Sequence, residues 1–190
     1  MIQIPDSEVS QYYVKQVLPS WNNINMFDAI TPDNLPNYLE FGKFWGFRDF
    51  SETEKSGFYS HLALWQKCFY EDKPIAIIEH DVVCNVKEMP IIGEFFSFCD
   101  FNSNDEWQNY SKRFQGHPYW GQDEPLCPVT HAYYMTPDVA ESLFYTISES
   151  PIEKFVDDYM WEFMGKDKSK IVNYTSPIYN ADVGGTMIHE

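Results

Sequence analysis

Glu79, His80 and Asp81 follow directly on an apolar run, residues 75–78. Carboxylate oxygens suit hard cations such as Mg²⁺ and Mn²⁺. In an extended strand, residues 79 and 81 point to the same side. A cation held there would bridge a diphosphate and neutralise charge on a leaving nucleotide. The plainer alternative is an acidic turn where a buried strand surfaces.

The elements that must position these residues follow from hydrophobic pattern and caps. "MIQI" reads as a short strand and "SEVSQYYVKQVL" as a helix ended by Pro19. "INMFDAI" is a second strand candidate. Residues 37–56 are aromatic without a clear period and are expected to be loop or irregular helix. Ser60 is placed to cap a helix in which Leu62, Trp65 and Phe69 share a face. "IIGEFFSFCDF" and "HAYYMT" read as strands, and Thr136 with Pro137 opens a further helix. "SPIE" places Ser150, Pro151 and Glu153 as a capping box for a helix stopped by Gly165. "KIVNY" is a last strand, before an irregular tail. Strands alternating with helices predict an α/β fold, one domain over 1–190, with a mainly parallel central sheet flanked by helices. In such sheets ligands bind beyond the carboxyl ends of the strands.

Composition narrows the class. The hydrophobic share is 44% and the aromatic share 18%, which excludes global disorder. No apolar run approaches the roughly 20 residues of a membrane span. The first residues lack a secretory pattern, so a cytoplasmic protein is expected, in the host cytoplasm if it is viral. The four cysteines form no C-x-x-C pair and are expected to be reduced thiols. A net charge of −16 repels nucleic acid overall and suits a divalent cation, although solubility alone also explains it.

The stretch "SGFYSHLALWQKCFYEDKPIAIIEHDVV" resembles glycosyltransferase family 25, the group of lipopolysaccharide and collagen sugar transferases. The similar elements are a turn glycine, Gly57, then Ser60-His61 opening a helix with Trp65. An apolar strand ending in an acidic triplet, here Glu79-His80-Asp81, completes them. "FDAIT" and "THAYYMTPDVAESLF" resemble further family segments, so the similarity spans most of residues 24–160. The middle acidic residue of the triplet is His80 here.

The resemblance implies a GT-A fold and metal-dependent transfer of a hexosyl or pentosyl unit. The donor would be a nucleotide sugar, a UDP-sugar foremost, and the acceptor a hydroxyl. Mn²⁺ or Mg²⁺ would be held by Asp81, with Glu79 ligating or holding the ribose and His189 closing over the metal. A frayed tail is the alternative for His189. Ser60, His61, Lys55 and Glu79 are the donor-binding candidates. His61 alternatively secures the start of its helix, and Lys55, with Arg48 and Arg113 behind it, is the phosphate candidate. Asp157 is the candidate base, with Glu153 four residues before it on the same flank. Both are also favoured simply as acidic residues early in a helix. Residues 102–128 would form an acceptor or donor lid, or a satellite core under a long loop.

The acceptor classes are a glycan, a protein side chain and a hydroxymethylated base in DNA. The last fits a small phage DNA-modifying enzyme, and the acidic charge weighs against it. The competing function is a sugar-nucleotide or glycan-binding module without turnover, which His80 motivates. A hydrolase using paired carboxylates has no further support.

Overall fold

The computed structural model describes residues 1–35, 50–80, 82–84, 93–99, 130–148, 152, 155–163, 171–173 and 178–180. The elements are β1 (Ile2–Gln3), α1 (Glu8–Val17), β2 (Phe27–Asp28), α2 (Glu52–Tyr70), β3 (Ile75–Ile78) and β4 (Val82–Cys84). They continue with β5 (Phe95–Cys99), β6 (Ala132–Met135), α3 (Pro137–Ser148), α4 (Val156–Phe163), β7 (Ile171–Asn173) and β8 (Ile178–Asn180). The class is α/β.

The pairing corrects one expectation. The four-stranded sheet runs β3-β6-β5-β7. In it β6 is antiparallel to both β3 and β5, and only β5 and β7 are parallel. β1 and β2 form a parallel pair, and β4 and β8 an antiparallel one. The described sheets are therefore mixed rather than mainly parallel. Alternation of strands and helices cannot fix strand direction here, because a long connection reaches β6 from either side.

Strand β6 sits between β3 and β5, and all four of its residues are buried. Its side chains alternate between two cores, as strand geometry requires. Tyr133 and Met135 join Ile77, Phe95, Trp65 and Leu143 on the side of α2 and α3, which pack together. Ala132 and Tyr134 join Ile78, Phe96, Val14 and Val17 on the side of α1. Register keeps the sets apart, with Ile77 opposite Tyr133 and Ile78 opposite Ala132. Burying each large side chain contributes about 2–3 kcal/mol, so a slip by one residue would exchange both cores.

Helix α2 begins well before the expected cap at Ser60. Ser51 is the N-cap, and its hydroxyl accepts from the Glu54 N–H while Glu54 accepts from the Ser51 N–H. This S-x-x-E box satisfies two otherwise orphaned donors. Ser60 lies inside the helix, where its hydroxyl donates to the Ser56 carbonyl and accepts from the Ile30 N–H at 2.9 Å. It thereby pairs a buried amide just beyond β2. Gly57 also stands within the helix, not in a turn.

Helix α3 starts after Thr136, whose carbonyl accepts from the Ala140 N–H. Its hydroxyl is buried without a partner among the described residues. Helix α4 is shorter than expected, and the proposed capping box, Ser150, Pro151 and Glu153, lies outside the described residues. The tail, expected to be irregular, supplies β8. Cys68 is a free, buried thiol, pushed up to about 11 by burial.

Candidate functional site

The ends of β3 and β6 meet because their antiparallel register places Ile78 opposite Ala132. The next step of the ladder is the Glu79 N–H, which donates to the His131 carbonyl at 2.8 Å. Glu79 and His131 thus leave the sheet side by side. Alternation sends Glu79 to the face of Tyr133 and α2. His80 turns the other way, its ring 6.1 Å from that of Tyr13.

The Glu79 carboxylate faces two imidazoles. Oε2 lies 3.1 Å from His131 Nδ1, and Oε1 lies 3.6 Å from His61 Nε2. Behind His61 stands a buried chain of polar groups. His61 Nδ1 is 2.8 Å from the Tyr133 hydroxyl, which also accepts from the Trp65 indole N–H at 2.8 Å. The rings of His61 and Tyr133 stack at 5.7 Å. Trp65 and Tyr133 are fully buried and His61 nearly so. Burying such groups is tolerable only because each finds a partner.

Asp157, on α4, comes to the same corner. One of its oxygens accepts from both the N–H and the hydroxyl of Thr130, at 3.1 and 2.8 Å. Thr130 immediately precedes His131, so one short segment serves both carboxylates.

The two acids titrate in opposite directions. Burial pushes Glu79 up, but hydrogen bonds from His131 and His61, reinforced by positive charge when a ring is protonated, overcome it and hold the carboxyl well below its usual range. For Asp157 burial wins. His131 and the bonds from Thr130 pull it down, the like charge of Glu79 pushes it up, and it ends raised. Tyr133 is pushed well above its ordinary value, first by burial and then by Glu79 and Asp157, so it stays a neutral hydroxyl. A carboxylate kept ionised beside one raised toward neutrality is the arrangement that separates a charge-holding role from a proton-accepting one.

Of the residues expected from the sequence, the structure brings together Glu79, His61 and Asp157. Ser60 lies one position before His61 and is engaged with backbone. Lys55 lies in the first turn of α2, and no hydrogen bond or ion pair joins it to Glu79 or Asp157 among the described residues. Asp81, Glu153 and His189 lie outside the described residues. Residues 102–128, the expected lid, do so as well.

The sequence reading took "THAYYMTPDVAESLF" as a strand and helix resembling a family segment and named none of Thr130, His131 and Tyr133 as site residues. The available signal was symmetry, since Thr-His enters one apolar strand as Glu-His-Asp leaves another. Only register shows that the two meet.

No group of three or more His, Cys, Asp or Glu among the described residues could hold a metal ion. Both Glu79 oxygens already face imidazole nitrogens. The described residues alone therefore do not compose a cation site, and Asp81 and His189, the other candidate ligands, lie outside them. No helix of the described residues is long and apolar enough to cross a membrane.

Comparison with known proteins places the chain in a family through a match that includes His61 and Glu79 and ends before Thr130. The chain is similar to the lipooligosaccharide biosynthesis protein lic2B of Haemophilus influenzae, 36% identical over 91 residues. That match covers 43% of this chain and 28% of the relative's own length. The sequence model of glycosyltransferase family 25 (LPS biosynthesis protein) matches residues 10–115, more than half of the chain. The chain belongs to glycosyltransferase family 25.

Proposed function

We propose that this chain transfers a sugar from a nucleotide-sugar donor to a hydroxyl acceptor, with Asp157 taking the hydroxyl proton. The observation that carries this reading is that Glu79, facing two imidazoles, and Asp157, held by Thr130, meet at one corner of the sheet, the first held low and the second raised. A base raised toward neutrality takes up a proton more readily at physiological pH than an ordinary aspartate. Asp157 Oδ1 is held by two donors from Thr130, which orients the carboxylate. Glu79, kept anionic, has lone pairs beyond those facing the imidazoles. It would accept hydrogen bonds from ribose or sugar hydroxyls of the donor.

A UDP-sugar is the favoured donor. A glycan is the favoured acceptor, because the similar protein from Haemophilus influenzae is named for lipooligosaccharide biosynthesis. A protein side chain is less supported. Hydroxymethylated DNA, as in a phage modification enzyme, is opposed by the net charge of −16. Mn²⁺ or Mg²⁺ would rest on Asp81 and His189, and the ion would supply positive charge to the leaving diphosphate.

The test is incubation with a panel of UDP-sugars and hydroxyl acceptors, with and without Mn²⁺, reading UDP release. Release that needs acceptor and vanishes in Asp157→Asn supports the transferase. UDP binding, seen as a rise in Tm, without release under any acceptor would establish the binding module that His80 motivates.

A further inference from the structure

Trp65, Tyr133 and His61 form a buried polar chain that packing alone does not require. Phe at all three positions would fill an apolar core without polar groups to satisfy. The direction of each bond follows from chemistry. The Trp65 indole nitrogen only donates, so the Tyr133 oxygen accepts from it. Tyr133 keeps its own proton, which burial and two nearby carboxylates favour. Among the described residues, the remaining partner of that hydroxyl is His61 Nδ1, at 2.8 Å. Nδ1 therefore accepts, and a neutral ring carries its proton on Nε2. Nε2 is the atom that faces Glu79 Oε1, at 3.6 Å.

We infer that Tyr133 is a positioning residue that fixes the His61 tautomer, so that His61 presents Nε2–H to the Glu79 carboxylate from behind. Trp65 directs the hydroxyl proton, Tyr133 hands the direction on, and His61 holds one carboxylate oxygen. His131 holds the other from the strand partner, Nδ1 to Oε2 at 3.1 Å. The carboxylate is thus oriented from two sides, by α2 and by the residue preceding β6, which Tyr133 ties together. The consequence for donor binding rests on the transferase reading above. The tautomer does not.

The first measurement is long-range nitrogen–proton NMR on histidine-labelled protein near pH 7. The wild type is expected to show His61 protonated on Nε2 only. Tyr133→Phe removes the donor to Nδ1 and is expected to give a mixture of tautomers. UDP affinity, measured by calorimetry with Mg²⁺ present, is expected to fall about tenfold in that variant, the scale of one buried hydrogen bond. Should Tyr133→Phe fail to fold, Trp65→Phe keeps the hydroxyl but releases its proton, and a mixed His61 signal is again expected. A wild-type His61 protonated on Nδ1 overturns the inference. An unchanged tautomer in the folded Tyr133→Phe or Trp65→Phe protein also overturns it. Wild-type protein that shows the Nε2–H form but ignores UDP upholds the positioning and sinks the transferase reading instead.

Discussion

The end of β3 and the first turn of α4 each contribute one carboxylate to a shared corner, and the protein treats them differently. Glu79 faces two imidazoles and stays ionised. Asp157 receives two bonds from a neutral threonine and is raised. Burial acts on both in the same direction, so the partner decides the outcome. A cationic or dipolar ring outweighs desolvation, whereas a hydroxyl and an amide do not. One histidine, His131, acts on both acids, bonding to one and lowering the other by its charge.

The sharpest way to break this comparison is Asp157→Asn. The amide oxygen still accepts from Thr130, but it takes up no proton. Transfer is expected to fall about 10²–10⁴-fold, while urea unfolding changes by less than about 1 kcal/mol. A comparable loss of stability would make Asp157 structural. Glu79→Ala comes next, because it strips two imidazoles of their acceptor. Unfolding free energy is expected to drop by about 2–4 kcal/mol, measured in urea at pH 7.

Ser60→Ala tests whether that position belongs to the scaffold rather than the corner. It orphans the Ile30 N–H, and a loss of about 1–2 kcal/mol is expected. Donor affinity should hardly change, and a large change in UDP binding would place Ser60 in the site.

The pH dependence separates the acids by sign. The Glu79 value is depressed, so its contribution is present above the unfolded value near ~4.3 and is lost as pH falls through the folded value. The Asp157 value is raised, so its contribution is greatest below ~3.9 and is lost as pH rises through the folded value. Relative to wild type, Asp157→Asn should therefore gain stability as pH climbs above about 4. Glu79→Gln should close its deficit as pH falls below that point. Parallel profiles would erase the distinction. The smallest effect belongs to Gly57→Ala, where an added Cβ meets nothing within 4 Å. About 0.5–1 kcal/mol of stabilisation is expected from helix propensity alone.

Much of the fold was legible because it is local. α1 announces itself by its end at Pro19 and α3 by its start at Pro137, and β3, β5 and β6 by apolar runs. The start of α2 was hidden, since Gly57 and the aromatic residues before it read as irregular while the S-x-x-E box at Ser51 went unweighed. Strand direction and the partner of β4 were not legible, because pairing across many residues leaves no local trace. Half of the corner had the same problem. Glu79 and His61 stood out through their motifs. His131 and Thr130 acquire meaning only when Ile78 lies opposite Ala132.

The position of β6 between strands that precede it has a consequence for synthesis. β3 and β5 emerge from the ribosome first, and each lacks its neighbour until residues 132–135 follow. Chain growth thus exposes two unfinished edges, which are prone to pair with other nascent chains. Insertion of this strand joins the edges and seats His131 against Glu79 in the same event. A ribosome-stalled chain ending short of residue 132 should be readily cut by protease in β3 and β5, and one long enough to free residue 135 from the exit tunnel should resist.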